Sequence, residues 1–470
     1  MGDIRLTRKI GLAGAVFLMV GNIIGASIFI LPGTLAGIAG PAVFVAYLIA
    51  IIPAIFTSLV AAQVGSILPV SASDYVFTST VLSPLLGFLK VWAAMLGAMV
   101  GGPLLAYGFA DYFSFFMPET DRVAIAVSAV IAITIVNLFG LRISVRSQIV
   151  MVSIFVTALM VLAIGGMFHI DIELMTPHAP LGWGAVLAAA VPAYYSYTGF
   201  TMLLSFAEEI KNPARNIPLI VFFTFLTVAT VYTSVTFVIP GLIPWRELGS
   251  IVAPLSDAAA TFLPDWYAAA ITIAALLAAG TSINAVIIAT SRSFFAVARN
   301  RIYPKAISHV SANTNEPDVA ILLVSVVVLG GITFQGSIAQ YATVSVIGWM
   351  LYGIIWGIAL VRLPTKLPDH YHSAKFKLPI PILWLTAVVN IIIGAVFIFI
   401  AVRDNFGPAT GYFGLLSLGA IYYYFRRRYL FREGVSLEAL LKNETDEAQR
   451  ATQEDTDTSL LAEGRILNTE

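Results

Sequence analysis

The chain has 470 residues, of which 59% are hydrophobic and 11% charged, with a mean hydropathy of +0.90. Soluble domains average roughly 45–50% apolar and about 25% charged residues, so the chain reads as an integral membrane protein rather than a soluble enzyme or a nucleic-acid-binding module. The net charge is zero and there are no cysteines, which removes disulfides, thiol catalysis and cysteine metal sites together.

About twenty apolar residues suffice to cross a bilayer. Such stretches are predicted twelve times, over residues 10–38, 41–66, 84–115, 122–140, 148–168, 184–208, 217–240, 266–298, 318–335, 341–362, 380–402 and 410–425. The first follows a short basic N-terminus, 1–9, and runs too long for a signal peptide. Leu6 stands where myristoylation of Gly2 would want Ser or Thr. Inside this first stretch lies Gly21-Asn22-Ile23-Ile24-Gly25-Ala26-Ser27-Ile28-Phe29. The third and eighth stretches are over-long and are expected to tilt or bend. The sixth is interrupted by Ala193-Tyr194-Tyr195-Ser196-Tyr197-Thr198-Gly199-Phe200-Thr201.

Glycine and small polar residues at mid-membrane depth let a helix unwind and free its backbone groups. Lipid cannot satisfy those groups, so they persist only where they line a cavity or a site. Glycines also serve close helix packing, an alternative that one such stretch alone leaves open. Two interruptions in corresponding halves point instead to a transporter's substrate site. If spans one and six correspond, spans 1–5 and 6–10 form an inverted repeat, a transport core over 10–362, with spans 11 and 12 (380–425) outside it.

Loop charge sets orientation. One side collects Arg5, Arg8, Lys9, Arg142, Arg146, Lys211, Arg215, Arg299, Arg301, Lys305, Arg362, Lys366, Lys375, Lys377 and Arg426-Arg427-Arg428; the other has only Arg122, Arg246 and Arg403. Both termini are therefore expected in the cytoplasm of a cell carrying this chain in its plasma membrane. Residues 426–470 form an expected cytoplasmic tail, polar and acidic from Glu433 and disordered.

Four motifs carry a family resemblance. Gly21 to Phe29 followed by Leu31-Pro32 resembles G-x-x-I-G-x-G-I-F-x-x-P, and Pro69-Val70-Ser71-Ala72-Ser73-Asp74-Tyr75 with Gly87-Phe88 and Trp92 resembles P-x-x-G-G-x-Y…G-F…G-W. Glu208-Glu209-Ile210-Lys211-Asn212-Pro213-Ala214-Arg215-Asn216-Ile217-Pro218 resembles E-x-x-N-P-x-R-x-I-P, and Asn284-Ala285, Ser291-Arg292 and Ala298-Arg299-Asn300-Arg301-Ile302-Tyr303-Pro304 resemble N-A…S-R…A-R-D-x-x-x-P. These are marks of the amino acid–polyamine–organocation (APC) superfamily. The resemblance implies an all-α membrane protein with a LeuT-type 5+5 inverted repeat, discontinuous helices 1 and 6, and two added C-terminal helices. Ser27 and Ala72-Ser73 replace family glycines, and Thr201 stands where related exchangers and permeases often carry glutamate.

The exposed start of a half-helix offers free N–H groups and a positive dipole end to a carboxylate; amides near Gly25, Ala26 and Ser27 are positioned for it. By resemblance the carbonyls of Ile23, Tyr195 and Thr198 receive the substrate's ammonium, and Tyr195 or Phe200 covers it. Gly25 and Gly199 allow the turn and close approach. No Asp or Glu falls within 10–73 or 174–207. A cationic side chain in a dry site would want a carboxylate, so neutral amino acids are expected.

Ala278-Ala279-Gly280-Thr281-Ser282 resembles a sodium site of LeuT-fold symporters: the carbonyl of Ala278, the hydroxyls of Thr281 and Ser282, and the carbonyls of Gly21 and Ile24. Hydroxyls in membrane helices also bond back to their own helix. Some sodium-independent relatives fill this site with a fifth-span lysine, and residues 147–168 contain no charged residue. The expected coupling ion is Na+, with proton coupling or exchange as alternatives and no cofactor beyond it. Glu208 or Glu209 with Arg292 is a candidate gate. A channel would want a filter or charge rings, an enzyme a constellation of catalytic groups. A non-transporting amino-acid sensor is the remaining alternative.

Overall fold

The computed structural model describes residues 10–68, 73–140, 145–200, 203, 210–299, 301–314, 316–374, 376–435 and 437. Glu208, Glu209, Thr201, Arg142, residues 69–72, the N-terminus 1–9 and nearly all of the acidic tail lie outside the described residues. The first expected span is two helices, α1 (Leu12–Ile24) and α2 (Ser27–Ala39), parted at Gly25 and Ala26. They are followed by α3 (Val43–Ile67), α4 (Ser73–Val81), α5 (Pro84–Ser114), α6 (Arg122–Leu138) and α7 (Val145–Met167). The sixth span begins as α8 (Trp183–Tyr195) and gives way to turns.

Next come α9 (Pro213–Leu242), the short α10 (Trp245–Leu248) and α11 (Pro254–Ala260), α12 (Asp265–Arg299), α13 (Asp318–Ile332) and α14 (Ile338–Lys366). The short α15 (Pro368–Ser373), α16 (Ile380–Asp404) and α17 (Phe406–Arg432) complete the described order. Seven helical stretches, counting 12–67 as one, are long and apolar enough to cross a membrane, and α6, α8 and α13 are shorter apolar helices. A helix satisfies its backbone groups within one segment, as lipid demands of a chain that crosses it. The last helix runs through Arg426-Arg427-Arg428 to Arg432.

Element ends follow local chemistry. Ser83 accepts from the amide of Leu86 at the start of α5 (3.3 Å) and Asp121 from that of Ala124 at α6 (2.7 Å). Gly40, at φ +70°, ends α2 in a conformation that favours glycine. The half-helices lie inside the bundle: α1 packs on α7, α9 and α12, and α2 on α8. Around them α3 lies on α8 and α9, while α5 lies against α12 and α14. Side-chain amides and hydroxyls tie the frame: Asn137 donates to Asn284 (2.8 Å), and Thr134 to Ser325 (2.8 Å). At one end the backbone of Ile10 pairs with Ile210, and the Lys211 amide donates to the Ile10 carbonyl (2.9 Å). The chain entering the first broken helix is thus held to the chain leaving the second interruption.

Candidate substrate and ion site

Gly25 sits at φ −16°, ψ −153°, and from there the chain re-enters a helix through Ala26. The amide of Ala26, freed by the break, donates to the Ser282 hydroxyl at 3.1 Å. A Cβ built on Gly25 would lie 1.8 Å from Ser282 Oγ and 3.8 Å from the carbonyl oxygen of Ala278. The fold therefore brings Gly25, Ala26, Ala278 and Ser282 to one place. Thr281 donates to the Ala278 carbonyl on its own helix (2.9 Å), the back-bonding that intramembrane hydroxyls favour. Ile24 is fully buried beside them. Gly21 faces the fifth span: a Cβ there would come within 2.4 Å of Val152 and 2.6 Å of Gln148 Nε2.

The second interruption is a run of tight turns after Tyr195. The amides of Ser196, Tyr197 and Thr198 donate to the carbonyls of Ala193, Tyr194 and Tyr195 at 3.0, 2.9 and 3.1 Å. Gly199, at φ +110°, completes the turn in a region closed to most side chains. Its Cβ position is 3.4 Å from Ile23 Cγ1 and 3.7 Å from the Asn22 carbonyl, so the two interruptions touch. The carbonyl of Tyr195 already accepts from both the amide and the hydroxyl of Thr198 (3.1 and 2.7 Å). That of Ile23 accepts from Tyr232 (2.8 Å). The Ile23 carbonyl keeps a second lone pair for an ammonium, whereas the Tyr195 carbonyl already serves two donors, one of which an ammonium would have to displace.

The two aromatic candidates part company. Tyr195 reaches α5, donating to the Gly101 carbonyl at 3.3 Å. Its ring lies where a Cβ on Gly101 would be, 2.6 Å from Cε2. Phe200 turns to α9, its ring 5.8 Å from that of Phe225. Thr198, Gly199 and Phe200 also line a cleft with Thr57 of α3 and Trp349 of α14.

Tyr232 of α9 was not among the expected site residues. Its hydroxyl is within hydrogen-bonding distance of the Ile23 carbonyl (2.8 Å) and the Ser196 carbonyl (3.0 Å), with Ser27 Oγ at 3.5 Å. One side chain thus spans both interruptions. Its signal in the sequence is a tyrosine amid Thr230, Ser234 and Thr236, deep in an apolar span, without an acid or glycine motif. Tyr47 and Tyr197 pack around its ring, with centroids at 5.9 and 5.1 Å. Among the described residues no cluster of three or more His, Asp or Glu could hold a metal ion. The other intramembrane charges lie elsewhere: Lys90 sits 4.5 Å over the ring of Tyr352, and Asp111 accepts from Arg122 (2.7 Å).

The family profile described as amino acid permease matches residues 10–369. The chain is 27% identical to the branched-chain amino acid permease BcaP of Bacillus subtilis over 78% of its own length and 83% of that protein's. It is 27% identical to the vacuolar cationic amino acid transporter 4 of Arabidopsis thaliana, covering 78% of this chain and 65% of that one. A methylthioribose transporter of Bacillus subtilis is 25% identical over 85% and 94% of the two chains. These relatives are transporters and not enzymes. With a match this long over a helical bundle whose first apolar span is broken at Gly25, the chain belongs to the amino acid permease family, embedded in the membrane.

Proposed function

We propose that the chain is a secondary active transporter of neutral α-amino acids, working by alternating access in the plasma membrane and coupled to Na+. The proposed architecture is twelve spans with both termini cytoplasmic, the first ten forming a LeuT-type inverted repeat. The observation that carries the reading is the meeting of two interrupted helices. The Ala26 amide at the start of α2 is turned to the Ser282 hydroxyl of α12, and the turn at Gly199 lies against Asn22 and Ile23. A zwitterion suits such a place, its carboxylate at the positive end of α2 and its ammonium among carbonyls. The substrate-contacting set is Ile23, Gly25, Ala26, Ser27, Tyr195, Thr198 and Gly199, with Tyr195 the better cover because it bridges to α5. The proposed cation ligands are Ala278, Thr281, Ser282, Ile24 and Gly21.

Neutral substrates are supported by the lack of Asp and Glu within 10–73 and 174–207. A relative whose name specifies branched-chain amino acids makes leucine the first probe. Another is named for cationic amino acids, so arginine is the necessary competitor. Purified protein in liposomes should accumulate leucine, with unlabelled small or aliphatic amino acids competing better than arginine, lysine, glutamate or putrescine. Tightest competition by arginine or putrescine would show that another span contributes a carboxylate. Leucine binding with no flux at all would assign the protein to sensing rather than transport.

A further inference from the structure

One of the three amides expected to receive the substrate's carboxylate is already occupied. Ala26 has one N–H, and it points at Ser282 Oγ, 3.1 Å away and buried. Ser282 is 7% exposed and Ala26 1%, so water does not replace this partner. The bond crosses between elements far apart in sequence, from the start of α2 to the middle of α12. Its tightness shows at Gly25, where a Cβ would overlap the hydroxyl. The adjacent Thr281 does something different: it bonds back to Ala278, as an intramembrane hydroxyl ordinarily does. Of two neighbouring hydroxyls, only Ser282 reaches across to the freed amide.

We propose that Ser282 is a built-in competitor for the substrate carboxylate, and that its displacement couples amino-acid binding to cation binding. One N–H makes one good hydrogen bond, so a carboxylate oxygen that takes the Ala26 amide takes the place of Ser282 Oγ. The carboxylate wins the exchange because an ionised acceptor makes a hydrogen bond roughly twice as strong as a neutral one. The released hydroxyl then has its lone pairs free beside the Ala278 carbonyl and Thr281, where a hard cation can use them. Until the substrate arrives, Ser282 keeps a buried donor from being orphaned, which holds the empty break in order. This inference rests on the transporter reading and adds a residue-level link between its two sites.

The test compares wild type with Ser282→Ala, binding leucine in choline medium and then titrating Na+. Removing the competitor leaves the Ala26 amide unsatisfied in the empty protein, so leucine should bind more tightly without Na+, by roughly five- to thirty-fold. 3-Methylbutylamine, which carries the leucine side chain and ammonium but no acceptor for the Ala26 amide, should bind both proteins alike, whereas a packing role for Ser282 would shift both ligands together. Ser282→Gly should repeat the pattern, which guards against an accident of one variant's folding. Equal or weaker leucine binding by both variants, at wild-type thermal stability, would overturn the proposal. A wild-type protein that neither binds nor takes up any neutral amino acid would instead overturn the transporter reading. Tighter leucine binding by Ser282→Ala together with a wild-type protein indifferent to Na+ would uphold the competition and sink its coupling to the cation.

Discussion

Gly25 and Gly199 are both required by the site, for opposite reasons. At Gly25 the limit is space, since a Cβ would overlap Ser282 Oγ. At Gly199 the nearest atoms are an ordinary 3.4 Å away, and the limit is the backbone, at φ +110°. Gly25→Ala should therefore lose substrate affinity and regain much of it in the double variant Gly25→Ala, Ser282→Gly. Gly199→Ala should lose affinity with no such rescue, because strain at a positive φ costs about 1–3 kcal/mol whatever its neighbours are. Binding by detergent-purified variants of normal yield checks both, and rescue of Gly199→Ala by shortening Ile23 would show that space, not backbone, limits that site. Both glycines were legible in the sequence because a missing side chain at mid-membrane depth is itself a signal. The use made of Ser282 was not, since spacing brings a hydroxyl near a helix break without saying which atom it bonds.

At the scale of helices, the joint between the two interruptions is the hydroxyl of Tyr232, borne on α9. It has one proton and two carbonyls within reach, those of Ile23 and Ser196. Tyr232→Phe keeps the ring packed against Tyr47 and Tyr197 and removes only that donor. The one donor that the two buried carbonyls share is then lost, a cost of about 1–3 kcal/mol, so the empty protein should melt at lower temperature. A bound ammonium can supply the missing donor, so leucine should raise the melting temperature of the variant more than that of wild type. Equal melting and equal ligand shifts would show that the hydroxyl joins nothing. Helix positions were readable because apolar length is a direct consequence of bilayer thickness; the expected stretch 266–298, for example, coincides with α12. Tyr232 escaped because tyrosine in an apolar span has no distinctive period or partner in sequence. The short helices α4, α10, α11 and α15 escaped because a few residues show no period at all. Neither did apolar length distinguish Tyr195 from Phe200, since the turn at Ser196 to Gly199 sends one ring to α5 and the other to α9.

For the whole molecule, orientation and coupling are the properties to test. The thiol-free chain permits single cysteines to be placed at will. The charge bias of its loops predicts labelling from outside the cell at positions 122 and 403 and protection at 305; outside labelling at 305 would invert the topology. Coupling follows from where the cation would sit, between the end of α1 and the Ala278 to Ser282 segment of α12. A cation there joins a half-helix to the frame, so it favours whichever conformation holds the two together. Leucine should then bind more tightly in Na+ than in choline, and leucine must raise Na+ affinity by the same factor. Thr281→Val is nearly isosteric and removes one hydroxyl ligand, which in this structure serves only its own helix. It should abolish the Na+ effect while leaving leucine affinity in choline unchanged, in contrast to Ser282→Ala, which moves that affinity. Uptake that is equal in the two media and collapses when a pH gradient is dissipated would transfer the driving role to protons.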